Sequence, residues 1–287
     1  MRRTAHSRES VITRASRSTA SLPSRALFPF VVIAPTILVY ANSFNGVFLF
    51  DDAPHIVHNE RIQHLRPLAG LLSGQRPIID LSLAINYALG KLNVWGYHAI
   101  NLGIHLLAAL ALYGVIRRTL SRNQLADRFG SSSGPLAAVA ALIWAVHPLQ
   151  TQSVTYIIQR SESLMGLFYL LALYCLIRSV DSVRRRVWQL AAVACCASGM
   201  GSKAVMVTAP LVLFLYDWVF LSKSAAIAAR RRWTLYLGLA ATWGVPWLTG
   251  VAGGVLNPST RGASVGFGFK GIMPLDYFLT QFGVIVH

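Results

Sequence analysis

Two adjacent carboxylates, Asp51 and Asp52, follow an uncharged run at residues 26–50 in the stretch NSFNGVFLFDDAPHIVHNE. A carboxylate can accept the proton of an attacking hydroxyl group, and a pair of carboxylates can help to hold a divalent ion. The competing interpretation is a solvated acid pair at a helix end, with no role in chemistry. The choice depends on the solvent around the uncharged run and on the charges that share its end.

Composition identifies that solvent as a lipid bilayer. Of the 287 residues, 54% are hydrophobic and 13% are charged, and the mean hydropathy is +0.51, which together indicate an integral membrane protein. The net charge of +16 is split into short clusters between apolar runs, so nucleic acid is not expected as a partner. The three cysteines lie inside apolar runs and lack the spacing of a zinc site or a disulfide framework: Cys175, Cys195 and Cys196.

The chain divides into a basic tail and a membrane domain. Residues 1–25 are rich in arginine and serine and predict a disordered cytoplasmic tail, with an organelle targeting peptide as the alternative. The uncharged run is long enough to cross a bilayer, which takes roughly 20 residues, and shows no cleavage pattern. Residues 26–287 therefore predict a membrane domain of about eight spans, the last one incomplete. The later apolar runs lie at 96–116, 135–147, 162–178, 187–202, 204–221 and 233–253, and from Asp276 onward.

Arginine clusters predict how the chain is oriented across the membrane. They fall in the tail and in alternate connections, around Arg117, Arg184 and Arg231, and basic connections face the cytoplasm. The N-terminus is then cytoplasmic, in the cytoplasmic (inner) membrane. The other connections face outward: 51–95, 147–161, 200–203 and 254–275.

Polar residues collect on the predicted outer side. Any one of them could simply extend its side chain to the interface, but their presence on one side favours a site. Arg160 and Lys203 each stand at the predicted outer start of a span, where a cation and the positive end of a helix could hold a phosphate. The candidates are Asp51, Asp52, Arg76, His147, Arg160, Glu162 and Lys203.

Other histidines and the first outward loop have simpler interpretations. His98, Asn101 and His105 recur at helical spacing and predict interhelical hydrogen bonding inside the bundle more than a site. His147 precedes a proline, and either a phosphate contact or a capping role suits it. The stretch RPIIDLSLAINYALG predicts an amphipathic helix within the loop.

Four phrases carry a resemblance to a known family: YANSFNGVFLFDD, RPIIDLSLAINYALGKLNVWGYHAINLGIHLLAAL, HPLQTQSVTYIIQRSESLMGLFYLLALYCLIR and GMGSKAVMVTAPLVLFLYD. In this order they resemble the membrane portion of the transmembrane and tetratricopeptide-repeat (TPR) protein family over residues 28–221. That family is related to the polyprenyl-phosphate-mannose protein O-mannosyltransferases of the GT-C class. The resemblance implies an all-α membrane bundle of GT-C type with a long first outward loop.

The resemblance also implies a reaction. A sugar, mannose in the family, would pass from a polyprenyl-phosphate donor to a hydroxyl group, on protein in the family, at the outer membrane face. The family's acidic pair maps onto Asp51 and Asp52, one as the base and the other to orient the acceptor or bind a metal, with the need for a divalent ion left open. Candidate ligands of the donor phosphate are Arg160, Lys203, His147 and Arg76, and Glu162 is a further candidate. The alternative is a non-catalytic membrane scaffold or a lipid-carrier transporter on the same fold.

The sequence departs from the family in two places. Relatives commonly have an acid directly after the lysine, where this chain has Ala204. The tetratricopeptide repeats of the relatives have no 34-residue counterpart here. The first difference predicts weakened or altered substrate binding, and the second predicts loss of the partner-binding module.

Overall fold

A computed structural model describes residues 22–222, 224–252 and 273–286, and all regular structure in these ranges is helical. Most of the predicted tail, Lys223 and most of the predicted outward segment 254–275 lie outside the described residues. Four helical stretches are long and apolar enough to cross a membrane: Leu27–Asn45, Val94–Leu120, Ile157–Asp181 and Ala204–Leu221. The prediction of an all-helical membrane protein is confirmed, while the number of eight spans stays a prediction.

The helices follow one another with short connections. In chain order they are α1 (Leu22–Tyr40), α2 (Glu60–Gln63), α3 (Leu68–Leu72), α4 (Pro77–Gly90), α5 (Val94–Leu120), α6 (Asn123–Phe129), α7 (Ser133–Val146), α8 (Thr151–Thr155), α9 (Arg160–Asp181), α10 (Arg185–Met200), α11 (Ala209–Tyr216), α12 (Ala225–Arg231), α13 (Trp233–Ala241), α14 (Gly244–Leu248) and α15 (Pro274–Val286). Short 3-10 or π-helical segments precede or follow several of them, at Ala41–Asn45, Ala53–Val57, Pro148–Gln150, Ile157–Gln159, Ala204–Thr208 and Asp217–Leu221.

Small residues let the helices approach closely. α7 buries a stripe of alanines against Val32 of α1 and Ala109 of α5: Ala137, Ala138, Ala141 and Ala145. In a bilayer, helices associate through such close van der Waals packing because lipid tails are as apolar as the side chains. A second core joins α9 and α10 through Leu176, Ala192 and Cys196.

The helix ends meet at two faces. We call the first the Asp51 face, because it carries Asp51 after the end of α1. There Tyr40 donates to the carbonyl of Ala145 (3.3 Å), and the N–H of Ile78 donates to the carbonyl of Gly201 (3.2 Å). At the second, the arginine face, Arg122 donates to Asp181 (2.9 Å) and Arg185 donates to the carbonyl of Arg231. Which of these faces lies on the cytoplasmic side stays a prediction.

Candidate functional site at the Asp51 face

Asp51 and Asp52 are neighbours in sequence but have different surroundings. Asp52 is 1% exposed, and its carboxylate accepts hydrogen bonds from the backbone N–H groups of Leu49 (3.0 Å) and Ile158 (2.8 Å). The carboxylate of Asp51 is exposed, while its backbone N–H donates to the hydroxyl of Tyr156 (2.9 Å). Asp52 therefore fastens the loop to the start of the span at Ile157–Asp181, and the side chain of Asp51 is left exposed at the surface.

The backbone before the pair is strained. Phe50 has a φ of 42°, which is rare for a bulky residue, and its side chain is 86% exposed. Such strain persists only where surrounding contacts hold it in place, and here the hydrogen bonds of Asp51 and Asp52 follow directly.

Burial raises the pKa of the Asp52 carboxyl above its usual value, and the two backbone hydrogen bonds partly oppose that shift.

Arg160 is the largest side chain that the fold buries completely. Its Nε donates to Oδ1 of Asn101 (2.6 Å) and its Nη2 donates to Oδ1 of Asn86 (2.7 Å). Further bonds reach the carbonyls of Ser82 (3.3 Å) and Tyr97 (3.2 Å). Within the described ranges, every hydrogen-bond partner of this guanidinium is neutral.

This geometry places Arg160 inside the protein, whereas the sequence prediction placed it at the aqueous end of a span as a phosphate ligand. Its planar fork joins α4 to α5 at the start of α9, because its acceptors lie on those two helices. The guanidinium also lies over the ring of Tyr97, 5.6 Å from the ring centre. Its contacts therefore fix the loop helix α4 against the bundle.

Lys203 and Glu162 form an ion pair across the start of two spans. Both side chains are only partly buried, so the pair stays open to solvent. Glu162 also lines a cavity of about 320 Å³ whose walls combine His105 and Trp144 with polar groups of Gln159 and Ser153. The cavity thus lies beside a cation and a carboxylate.

The start of α4 packs against the segment that carries Lys203. A Cβ atom on Gly201 would lie 3.0 Å from Cγ1 of Ile78, so glycine permits this close approach. Arg76 directly precedes α4 and is exposed. The fold therefore brings the loop segment of Arg76 to the same side of the bundle as Lys203, and Ala204 beside it is exposed.

The histidines of α5 are buried as their spacing predicts. His105 hydrogen-bonds through Nε2 to the carbonyl of Ala145 (2.8 Å) and stacks on Trp144. Asn101 donates to the carbonyls of Val154 and Ile157. The predicted interhelical bonding is confirmed for these two residues, whereas both ring nitrogens of His98 are buried with no hydrogen-bond partner among the described residues.

His147 caps the short helix after α7. Its Nδ1 accepts the N–H of Leu149 (3.2 Å), which accounts for one ring nitrogen, and the side chain is exposed. The capping role that the sequence allowed is therefore present. Its proposed contact with a donor phosphate remains a prediction.

No group of three metal-ligating side chains occurs in the part of the chain that the structure describes. Both oxygens of Asp52 already accept backbone N–H groups, so the exposed carboxylate of Asp51 is the one better placed to take an ion. The question of a divalent ion stays open.

Sequence reasoning missed the partners that hold the site together. The acceptor roles of Asn86 and Asn101, and the hydroxyl of Tyr156 behind Asp51, depend on contacts between distant segments. One signal was available for Asn86, which is a polar residue on the apolar side of the amphipathic pattern in α4 and is buried there.

Curated relatives identify the kind of protein that this chain is similar to. Protein O-mannosyl-transferase TMTC2 of Mus musculus is 30% identical over 200 residues, which cover 63% of this chain and 23% of that protein. The chain is distantly related to the protein O-mannosyl-transferases. The resemblance drawn from the sequence motifs is thereby confirmed.

Two further protein O-mannosyl-transferases match a similar part of the chain. TMTC4 of Homo sapiens is 33% identical over 185 residues (54% of this chain, 24% of the relative), and Tmtc3 of Drosophila melanogaster is 30% identical over 195 residues (58% and 21%). The chain spans about a quarter of the length of these relatives. No protein-family model matches the chain, and no solved structure matches it significantly.

Proposed function

We propose that this protein is a membrane glycosyltransferase that moves mannose from a polyprenyl-phosphate donor to a protein hydroxyl group at the Asp51 face. The similarity to protein O-mannosyl-transferases supports the reaction class. The observation that carries the site is the exposed carboxylate of Asp51, held beside the start of a span by the buried carboxylate of Asp52.

Asp51 acts as the base. The acceptor hydroxyl attacks the anomeric carbon of the sugar, and its proton passes to the Asp51 carboxylate as the new carbon–oxygen bond forms. The bond between the anomeric carbon and the phosphate oxygen breaks, and the phosphate leaves with the electron pair. Asp51 suits this role because its carboxylate is exposed, whereas that of Asp52 is occupied by two N–H donors.

Cations hold the departing phosphate. Lys203 is the leading ligand, since it is partly exposed and begins the segment Ala204–Thr208 at the Asp51 face. Glu162 keeps the ammonium group of Lys203 in place until the donor arrives, and Arg76 lies on the loop packed against the same segment. His147, with one ring nitrogen free of its cap, is a further ligand of the phosphate.

Arg160 and Asp52 are positioning residues in this proposal. Arg160 holds α4 against the bundle, and Asp52 holds the loop against Ile158, so together they set the place of Asp51 relative to Lys203. The buried positive charge of Arg160 also favours an anionic donor at this face, because it has only neutral partners.

Sugar transfer by the reconstituted protein tests the function. The assay offers polyprenyl-phosphate mannose or polyprenyl-phosphate glucose with an acceptor protein rich in serine and threonine. We expect mannose transfer by the parent protein and by Glu60→Gln, a charge-removing control at an exposed acid of the same loop. Absence of transfer with either donor, by protein that is folded, would favour the scaffold or transporter alternative.

Cysteine labelling tests the proposed orientation, with the Asp51 face outside. Single cysteines placed at Ala53 and Ser182 lie at the Asp51 face and the arginine face, respectively. We expect a membrane-impermeant maleimide to label Ala53→Cys in intact cells and Ser182→Cys only after permeabilisation. Labelling of both in intact cells would refute the orientation.

A further inference from the structure

A basic groove lies on the arginine face, away from the site described above. It has a volume of about 860 Å³ and runs between α10 and α13. Four arginines line it, and no acidic residue does so among the described residues: Arg184, Arg185, Arg186 and Arg231. We propose that this groove binds an anionic diacyl phospholipid from the membrane, with its phosphate at the arginines and one acyl chain between the helices.

The charge of the groove favours an anionic headgroup. The side chains of Arg184 and Arg186 are exposed at the start of α10, whose first turn contains no acid. Arg231 ends α12 and is separated from the start of α13 only by Arg232, so a further cation enters from the other wall. Arginine donates two parallel hydrogen bonds to phosphate oxygens, and basic pockets between membrane helices select anionic lipid headgroups.

The walls of the groove favour an acyl chain. Val187 and Leu190 of α10 are 60% and 70% exposed, and Trp233 at the start of α13 is 63% exposed. The groove continues for about two helical turns to Val193. The groove ends where Val193 of α10 meets Gly238 of α13. A Cβ atom on Gly238 would lie 2.9 Å from Cγ2 of Val193, so glycine at this position lets the two helices come into contact.

An unpartnered amide provides an independent reason to expect a ligand. Gln189 lines the groove and is 8% exposed, and its Nε2 has no hydrogen-bond partner among the described residues. A buried donor without a partner is costly, so such groups usually meet water, an ion or a ligand. Rotation of the Gln189 side chain, which lines the groove, would present this donor to the phosphate or ester oxygens of a phospholipid. A free phosphate ion would satisfy the cations but leave the apolar walls unused.

Native mass spectrometry of the purified full chain in detergent tests the proposal. The probes are dioleoyl-phosphatidylglycerol, dioleoyl-phosphatidylcholine with the same chains, and glycerol 3-phosphate as the headgroup alone. We expect phosphatidylglycerol to bind about tenfold or more tightly than phosphatidylcholine, and glycerol 3-phosphate not to compete at equal concentration. Equal binding of the two lipids, or full competition by glycerol 3-phosphate, would overturn the proposal.

Two substitutions and a matched control locate the lipid. Arg184→Gln together with Arg186→Gln should weaken phosphatidylglycerol binding about tenfold to thirtyfold, since each cation at the membrane surface contributes about one decade or less. Arg230→Gln is the control, because Arg230 is exposed on the same face and does not line the groove. An equal loss for the control would show general attraction to the surface and would refute a defined site.

Gln189→Met separates binding from folding. The Nε2 of Gln189 has no hydrogen-bond partner to lose among the described residues, so the lipid-free unfolding temperature should not fall, while phosphatidylglycerol binding weakens severalfold. This variant also keeps the test decisive if the double arginine variant fails to fold. Unchanged lipid binding by folded Gln189→Met would contradict the proposed contact.

Discussion

Among the residues that the structure describes, two buried arginines have different electrostatic partners. At the arginine face, Arg232 donates to both carboxylate oxygens of Asp217 (2.6 and 2.7 Å), and Asp217 also accepts from Ser222 and Tyr236. At the Asp51 face, Arg160 is equally enclosed but meets only amide and carbonyl oxygens. The first cation is neutralised, whereas the second is not.

The difference separates a structural cluster from a candidate site. A buried charge is tolerated when it is paired and hydrogen-bonded, and the Asp217 cluster meets that condition by itself. Arg160 satisfies its hydrogen bonds but leaves its charge unpaired, at the face where Lys203 and Asp51 are also accessible. Under the proposed function, the negative charge of the donor phosphate offsets the unpaired positive charge of Arg160 at this face.

The largest effect on stability that we predict concerns the neutralised pair of Arg232 and Asp217. Arg232→Met leaves the Asp217 carboxylate buried without its cation, which should cost about 3–5 kcal/mol of unfolding free energy. Arg160→Met removes a cation whose partners are neutral, and the unpaired oxygens of Asn86 and Asn101 should cost about 1–3 kcal/mol. Denaturant unfolding in detergent micelles compares the two variants.

The order of the two variants should be the opposite for transfer activity, with the larger loss in Arg160→Met. Per folded molecule, Arg232→Met should transfer sugar like the parent, while Arg160→Met should lose activity because α4 and its loop lose their attachment. Arg160→Lys should not restore it, since an ammonium group cannot reproduce the guanidinium fork. Equal stability losses for the two methionine variants would remove the distinction between the faces.

Asp52→Asn should have a smaller effect on stability, with a defined pH dependence. An amide can accept only one of the two N–H groups of Leu49 and Ile158 through its oxygen, so about 1–3 kcal/mol should be lost. Burial raises the pKa of Asp52 in the folded state, so the folded protein binds the proton more strongly than the unfolded chain does. The resulting stabilisation is full below the unfolded pKa and is lost as the pH rises through the folded pKa.

The measurement is the difference in unfolding temperature between the parent and Asp52→Asn across the acidic range. That difference should shrink as the pH rises above the ordinary aspartate pKa of about 3.9 and then become constant. A difference that grows with pH would show that the two hydrogen bonds, rather than burial, dominate the titration.

Sequence reasoning found the four candidate spans because bilayer thickness imposes length and apolarity on them. The span predicted at 204–221 coincides with Ala204–Leu221, and the run predicted at 96–116 lies within Val94–Leu120. Buried positions of α5 also followed from its helical period, as His105 and Asn101 show.

The division of roles at the site could not be predicted in the same way. Adjacent Asp51 and Asp52 are equivalent in sequence, and their contacts in the fold distinguish them, since the carboxylate of Asp52 accepts the N–H groups of Leu49 and the distant Ile158. Arg160 stands at the end of an apolar run, where extension to water is the usual expectation. Its burial depends on Asn86, which comes from a loop helix whose packing no local pattern specifies.

The smallest effect that we predict concerns Ala204. Its side chain is exposed beside Lys203 at the Asp51 face, so Ala204→Glu should express at the parental yield. If the acid found in relatives assists substrate binding, the variant should show a modest rise in transfer rate or donor affinity. A drop in yield would instead place the position against lipid, where a charge costs about 1–3 kcal/mol.

The most direct test of the account is the transfer rate of Asp51→Asn measured beside that of the parent, with polyprenyl-phosphate mannose as donor. The amide keeps the volume of the side chain but cannot accept the proton, and loss of a general base lowers the rate by about a hundredfold to ten-thousandfold. Because the Asp51 carboxylate is exposed, the unfolding temperature should stay at the parental value. A folded Asp51→Asn variant that transfers mannose at the parental rate would contradict the central claim that Asp51 carries the chemistry of this face.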